Sequence, residues 1–308
     1  MKRHWSAVPW GAAVLLATAA WAAPADWMPG PGTINYTEGQ VTLDGQNVKS
    51  GASQAAVLGA NQVLDTAQGK AEVLLNPGIF LRLGDYSEVR MISPDYGDMR
   101  VAVTRGEAMV EAAVSPKDAH LAIDMNATIT RIDKAGLYDF NANPAIVRVL
   151  NGEATVDRGG KHLNLKEGHE VLLSSARLKA QSIDQSAMQA DPLYAWSSMR
   201  SQDEAQANMA MAQNMVDNSG WYGPGWYWSP AWDCYAFMPG AGLYSPFGWG
   251  FYPPLFIGGY WGGFPHVGFH YHPFYGRGFH GAFAAHGGFG GGFHGGFHGG
   301  FGGGHGRG

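Results

Sequence analysis

Eight histidines follow Pro265: His266, His270, His272, His280, His286, His294, His298 and His305. Imidazole is a good ligand for zinc, copper or nickel, and an extended His270-Tyr271-His272 puts two rings on one side. The surrounding chain is Gly, Phe and His, so any such site must order a flexible backbone before it binds, which makes it weak and unselective. His120, His162 and His169 stand on different predicted strands or turns. They have no neighbouring Cys, no H-x-x-x-H partner and no Glu at ligand spacing, which reads as structural or surface placement. Asp44, Glu111 and Asp157 end three similar hexapeptides, GQVTLD, GEAMVE and GEATVD. Repeated acids at corners read as solvated turn residues, the other reading being a calcium site on stacked rungs. Arg82 in LRLG reads as one half of a structural ion pair. No G-x-S-x-G elbow, phosphate loop, dinucleotide fingerprint or H-E-x-x-H helix occurs. The sequence therefore assigns no catalytic residue, no cofactor-binding residue and no metal ligand, and the expectation is a protein that is not an enzyme and carries no cofactor.

The chain of 308 residues has a formal net charge of -5, 15% charged residues and 46 glycines. That balance gives no electrostatic footprint for nucleic acid or anionic lipid. Lys2 and Arg3 precede an apolar run from about Ala12 to Ala20, and Ala20-Trp21-Ala22 is a small-x-small cleavage pattern. Residues 1-22 read as a secretory signal peptide cut between Ala22 and Ala23, since the run is short against the ~20 residues of a spanning helix. The expected location is periplasmic or secreted, with no transmembrane span once the signal is removed. Cys234 is the single cysteine and has no partner in the chain for a disulfide.

Residues 32-175 read as strands and tight turns. GQVTLDGQNV alternates apolar and polar residues before Asp44-Gly45, and Asn76-Pro77-Gly78 separates two apolar runs. The hexapeptides share a logic: a Gly makes a corner, and a strand with one buried face follows. In GEATVD, Ala154 and Val156 point inward while Glu153, Thr155 and Asp157 point outward. The fold class is all-β, a short irregular β-solenoid or twisted sandwich.

The segment YTEGQVTLDGQNVKSGASQAAVLGANQVLDTAQGKAEVLLNPGIFLRLGDYSEVRM resembles the FecR domain. Asn76-Pro77-Gly78, Leu81-Arg82-Leu83-Gly84 and Ser87-Glu88-Val89 fall in register with it, followed by VTRGEAMVE, AGLYDF, VRVLNGEATVD and KEGHEVLL. The resemblance covers a little under half the chain. It implies an extracytoplasmic all-β domain with a solenoid-like core, known from bacterial regulators that pass an outer-membrane receptor signal to a sigma factor. Only MKRHW precedes the apolar stretch here, so fold and compartment carry over and sigma-factor control does not.

Asp191-Pro192 starts a predicted helix over 191-217, with Trp196, Met199, Met209 and Met215 in an apolar stripe that packs on the β domain or the next segment. Residues 218-265 are dense in Trp, Tyr and Phe, with Pro and Gly that break any long strand. Residues 266-308 are a low-complexity tail expected to be disordered. The leading functional reading is a non-enzymatic exported envelope protein, a FecR-like protein-binding or assembly module with a sticky C-terminal extension and another envelope protein as partner. A second reading is cell-wall glycan binding by sugar stacking on Trp221, Trp226, Trp228, Trp232 and Tyr235. A third is an envelope signal-transduction regulator that binds another protein through a sheet edge.

Overall fold

The computed structural model describes residues 29-49, 55-217 and 220-257. The expected signal peptide and the eight tail histidines lie outside the described residues. Among those described, no helix is long and apolar enough to cross a membrane.

Fifteen strands form one sheet. In chain order they begin with β1 (Thr33–Leu43), β2 (Gln46–Asn47), β3 (Val63–Asn76), β4 (Ile79–Leu83) and β5 (Glu88–Asp95). After β6 (Asp98–Arg105) and β7 (Glu107–Ala112) come β8 (Ala122–Met125), β9 (Thr128–Ile132), β10 (Gly136–Ala142) and β11 (Ala145–Asn151). The sheet is completed by β12 (Glu153–Arg158), β13 (Lys161–Lys166), β14 (His169–Leu172) and β15 (Ala180–Ser182). Their lateral order is β13-β12-β9-β8-β6-β5-β3-β4-β7-β10-β11-β14-β15, with β1 added beside β3. Every ladder is antiparallel except β6 with β8. The all-β expectation holds, in the form of one sheet that curls until its ends nearly meet. Arg158 on β12 closes the gap by donating to the carbonyl of Leu173, just past β14, at 2.5 Å.

Period-two alternation sends one side of each strand into the barrel. Val73, Leu81, Val110, Tyr138 and Val149 are inside, together with Ala154 and Val156 of the GEATVD repeat. Gly152 turns the corner as the sequence suggests, at φ +96°, and the Tyr138 hydroxyl sits over it. That hydroxyl donates to the carbonyl of Lys134 at 2.6 Å and accepts from the amide of Glu153 at 3.1 Å. A Cβ at position 152 would stand 2.3 Å from the Tyr138 oxygen. Gly152→Ala is therefore expected to cost about 2–4 kcal/mol in urea unfolding, from strain plus a clash. Gly160, at φ +79° with nothing near a built Cβ, should lose only the backbone part, about 1 kcal/mol, on the same change. Equal costs at the two sites would refute the packing account.

The other side of the central strands is also buried, which is why all five residues of β4 are inaccessible. Helix α1 (Gln185–Gln189) leads into α2 (Pro192–Asp217), whose first turn is capped by Asp191 accepting from the amide of Tyr194 at 2.8 Å. Two hairpins follow, β16 (Gly225–Ser229) with β17 (Cys234–Met238) and β18 (Leu243–Tyr244) with β19 (Gly250–Phe251), and then the short α3 (Pro254–Ile257). Leu74 and Phe80 of the sheet pack with Trp226, Phe237, Trp249 and Phe251 of these hairpins. Phe80 meets Trp226 edge-on at 5.2 Å.

The stripe expected on α2 is corrected in one respect. Trp196 is buried, but Met199 is 47% exposed, because the face of α2 turned to the sheet carries Ser197, Arg200, Ser201, Glu204 and Asn208. This helix is held down by these polar groups together with buried Leu193, Trp196, Ala205, Ala207, Met211 and Ala212.

Candidate functional site

Eight residues on the covered side of the sheet lie in one lateral row, each the direct neighbour of the next: Tyr36, Glu72, Arg82, Met109, Asp139, Arg148, Glu170 and Gln181. Opposite charges therefore face one another across adjacent strands, the arrangement that favours cross-strand pairing. Alternation along each strand places these side chains away from the barrel interior, with Glu72, Arg82, Met109 and Asp139 fully buried beneath the covering layer and Gln181 exposed at the edge.

In the first half of the row, Arg82 donates to Glu72 at 2.8 Å and to Glu111 at 2.5 Å, all three side chains being fully buried. Arg82 is thus the structural ion-pair residue that its sequence context suggests. Arg200 of α2 adds a second guanidinium, donating to Glu72 at 3.1 Å and Glu204 at 3.2 Å while stacking over the Tyr36 ring at 3.9 Å. Asn35 sits at a bulge in β1, where the register slips between Ile34 and Tyr36. Its amide donates to Glu72, Glu204 and the carbonyl of Tyr235, and its oxygen accepts from the amide of Tyr235 at 2.7 Å. Asn208 does the same for the second hairpin, donating to the carbonyls of Phe237 and Tyr252 and accepting from the amide of Tyr252 at 2.8 Å. Burial alone would raise the Glu72 carboxyl, but the positive charges of Arg200 and Arg82 override it and hold it at about 2. Glu204 moves the other way, raised well above the usual carboxylate range by burial and by the negative charge of Glu72.

The second half of the row centres on Arg148, which donates to Asp139 at 2.6 Å and Glu170 at 3.0 Å. Asp139 is raised by burial and by Glu107, and Glu107 in turn by burial and by Asp191, so this group carries more carboxyls than one guanidinium neutralises.

The other sequence candidates do not converge on either group. Asp44 is a solvated turn residue as expected, accepting from Gln62 at 2.8 Å and from the amide of Val63 at 2.9 Å. Asp157 faces His162 at 2.8 Å on the surface. Glu111 corrects the corner-residue reading: it lies mid-sheet between β4 and β10, fully buried, and also accepts from Ser201 at 2.7 Å. The three acids therefore do not stack, and among the described residues no three His, Cys, Asp or Glu side chains gather as a metal site. His120 and His169 each bond a nearby backbone carbonyl at 2.9 Å. Cys234 is buried near Glu204, and burial pushes its thiol up. Trp226, proposed to stack on sugar, is 2% exposed and spent on packing.

A different feature, absent from the sequence reading, is a fork in the sheet. Strands β6 and β8 pair through three residues only, Arg100 with Ala122, Val101 with Ile123 and Ala102 with Asp124. Arg100 and Asp124 close the base of the fork with bonds of 2.8 and 2.6 Å. Beyond it, β8 turns away into β9 through Asn126 and Ala127, both at positive φ. The strands part around a cleft of about 460 Å3, walled by Ala102, Val103 and Thr104 on one side and Met125, Asn126 and Thr128 on the other. Among the described residues, Val103 to Arg105 have a strand partner only on the β5 side.

No family model matches the chain. No curated protein matches it either. Two crystal structures of a protein described as a "putative anti-sigma factor" from Parabacteroides distasonis ATCC 8503, at 2.50 and 1.65 Å resolution, are similar to it at 14% and 13% identity, each with a TM-score of 0.36. The similarity covers 42% of this chain and 62% and 65% of the other two, so the chain spans less than two thirds of either.

Proposed function

We propose that this protein is a non-enzymatic protein-binding module of the FecR-like regulatory kind, acting outside the cytoplasm, and that it takes up an extended segment of a partner protein at the fork between β6 and β8. The observation that carries this is the half-paired edge of β6. A strand edge with unused backbone donors and acceptors recruits another strand, and a cleft beside it receives alternate side chains of the incoming segment. The chemistry of the described surface agrees with this use. The buried charged groups of the row pair with one another under the covering layer, whereas the fork presents peptide edge, modest apolar walls and the Arg100–Asp124 pair at its base. The glycan reading has less support, since Trp226 is enclosed by Phe80 and Phe237.

The test places a photoreactive residue at Thr104 in the full chain and a second at Lys161, on the distant β13 edge. Crosslinking in intact cells should join Thr104 to one polypeptide and leave Lys161 silent. Ala102→Trp, which fills the cleft beside Asp124, is expected to weaken that association by about tenfold or more, ~1.4 kcal/mol. Equal crosslinking at both positions, or indifference to Ala102→Trp, would remove the fork from consideration.

A further inference from the structure

The covered half of the charge row has an odd charge. Glu72 on β3, Glu111 on β7 and Glu204 on α2 supply three carboxyls, while Arg82 on β4 and Arg200 on α2 supply two guanidiniums, and all five side chains are 4% exposed or less. An unpaired charge in such surroundings is costly, so one of the three carboxyls holds a proton. The geometry shows which. Glu72 takes a guanidinium on each oxygen, Arg82 on one and Arg200 on the other. Glu111 takes Arg82 at 2.5 Å and the hydroxyl of Ser201 at 2.7 Å. Glu204 shares the same Arg200 nitrogen and the same Asn35 amide through a single oxygen, and its other oxygen, fully buried, meets no donor among the described residues. The remaining ionisable neighbours supply no compensating cation: Asp203 is bonded to Arg200 at 3.3 Å, and Cys234 is a buried thiol.

We propose that Glu204 is a proton-dependent latch: protonated, it lets α2 seat on the face of β3, β4 and β7, and ionised, it places a third negative charge in that dry interface and loosens α2 together with the hairpins pinned to it. The hairpins follow the helix because Asn208, one turn beyond Glu204, holds both Phe237 and Tyr252. Asn35 on the sheet side holds Tyr235, next to Cys234. The sign follows from where the proton binds. A carboxyl that keeps its proton in the closed state and has ordinary acidity in the open state makes opening release a proton. Opening is then suppressed below the ordinary carboxylate value and favoured as pH rises from there through the raised value of Glu204, by about tenfold per pH unit for one linked proton.

Hydrogen exchange of the full chain, corrected for intrinsic rate and followed from about pH 5 to pH 9, reads the latch directly. Amides of Arg200 to Met211 are expected to lose protection over this range by at least about tenfold more than those of β9 and β12, strands that carry no raised carboxyl, unlike β10 with Asp139. Glu204→Gln, which keeps the shape and hydrogen bonds of a protonated carboxyl, should bring the pH dependence of the helix down to that of β9 and β12. If the wild-type helix and sheet lose protection in step, or if Glu204→Gln retains the wild-type dependence, the latch is wrong. Should the variant not fold, the wild-type protein alone decides the matter by infrared spectroscopy. The carbonyl band of a protonated buried carboxylic acid must be present at neutral pH and must disappear over the same pH interval in which α2 loses protection; its absence, or a mismatch of the two intervals, overturns the proposal.

Discussion

A chain running from Ala23 to Ser175 is expected to show no cooperative thermal transition, although it contains every long strand of the sheet. Cutting there removes α1, α2 and both hairpins. Leu74 and Phe80 then face water, having been completely buried, and Glu72 loses Arg200 while Glu111 loses Ser201. Exposing the two side chains costs about 3–5 kcal/mol, and stripping partners from buried carboxylates adds a similar amount, which together rivals the 5–15 kcal/mol that holds a domain folded. Circular dichroism should report strand content with a broad, non-cooperative melt, and a hydrophobic dye should bind. A chain ending at Ile257 keeps all the contacts just named and is expected to melt cooperatively. A sharp β-type transition of the shorter chain, close to that of the longer one, would show that the covering layer is an ornament.

Arg82→Ala is the single substitution expected to do most damage. It leaves Glu72 and Glu111 facing each other's former counter-ion from opposite sides, in a place without solvent. Loss of one partner from a buried pair typically costs about 3–5 kcal/mol, and here Glu111 loses its only guanidinium among the described residues while Glu72 is left with Arg200 alone. Arg82→Lys should recover little, because a single ammonium cannot reproduce the fork that reaches both acids at 2.8 and 2.5 Å. Arg82→Met combined with Glu72→Gln and Glu111→Gln should recover most of the loss, since removing the charges together avoids stranding any of them. Urea unfolding of the three variants orders them, and a triple variant less stable than Arg82→Ala alone would contradict this account.

Much of the sheet was legible because period-two alternation is a local signal. GEATVD shows its inward Ala154 and Val156 and its corner at Gly152 without help from any other segment. The cap at Asp191 was legible for the same reason. What escaped the sequence is the second buried face. In IFLRL the sequence shows apolar residues on both sides of a strand, and the meaning of Arg82 among them depends on Glu111, 29 positions later, and on Glu72, 10 earlier. The buried face of α2 was only partly legible because it mixes apolar residues such as Trp196 and Met211 with Arg200, Ser201, Glu204 and Asn208, so a search for apolar periodicity picked out Met199, which is exposed, and passed over Arg200 and Glu204. Pro and Gly in the aromatic segment suggested irregular chain, and they do bound its strands, yet five residues at a time from Gly225 and from Cys234 suffice for a hairpin. The fork was invisible because it is a failure of pairing between β6 and β8, and pairing across a parallel crossover leaves no mark in either strand.

The bond between Arg200 and Glu72 spans 128 positions of the chain. At roughly 5–20 residues per second, a ribosome needs about 6–26 s to supply the second residue after the first has emerged. In the last part of that interval, once β14 has emerged, the nascent sheet displays Glu72, Arg82 and Phe80 on an uncovered flank. Synthesis therefore has an obligatory waiting period in which the chain resembles a half-finished product, and a holdase, or passage across a membrane before folding, would keep that flank from finding a neighbour first.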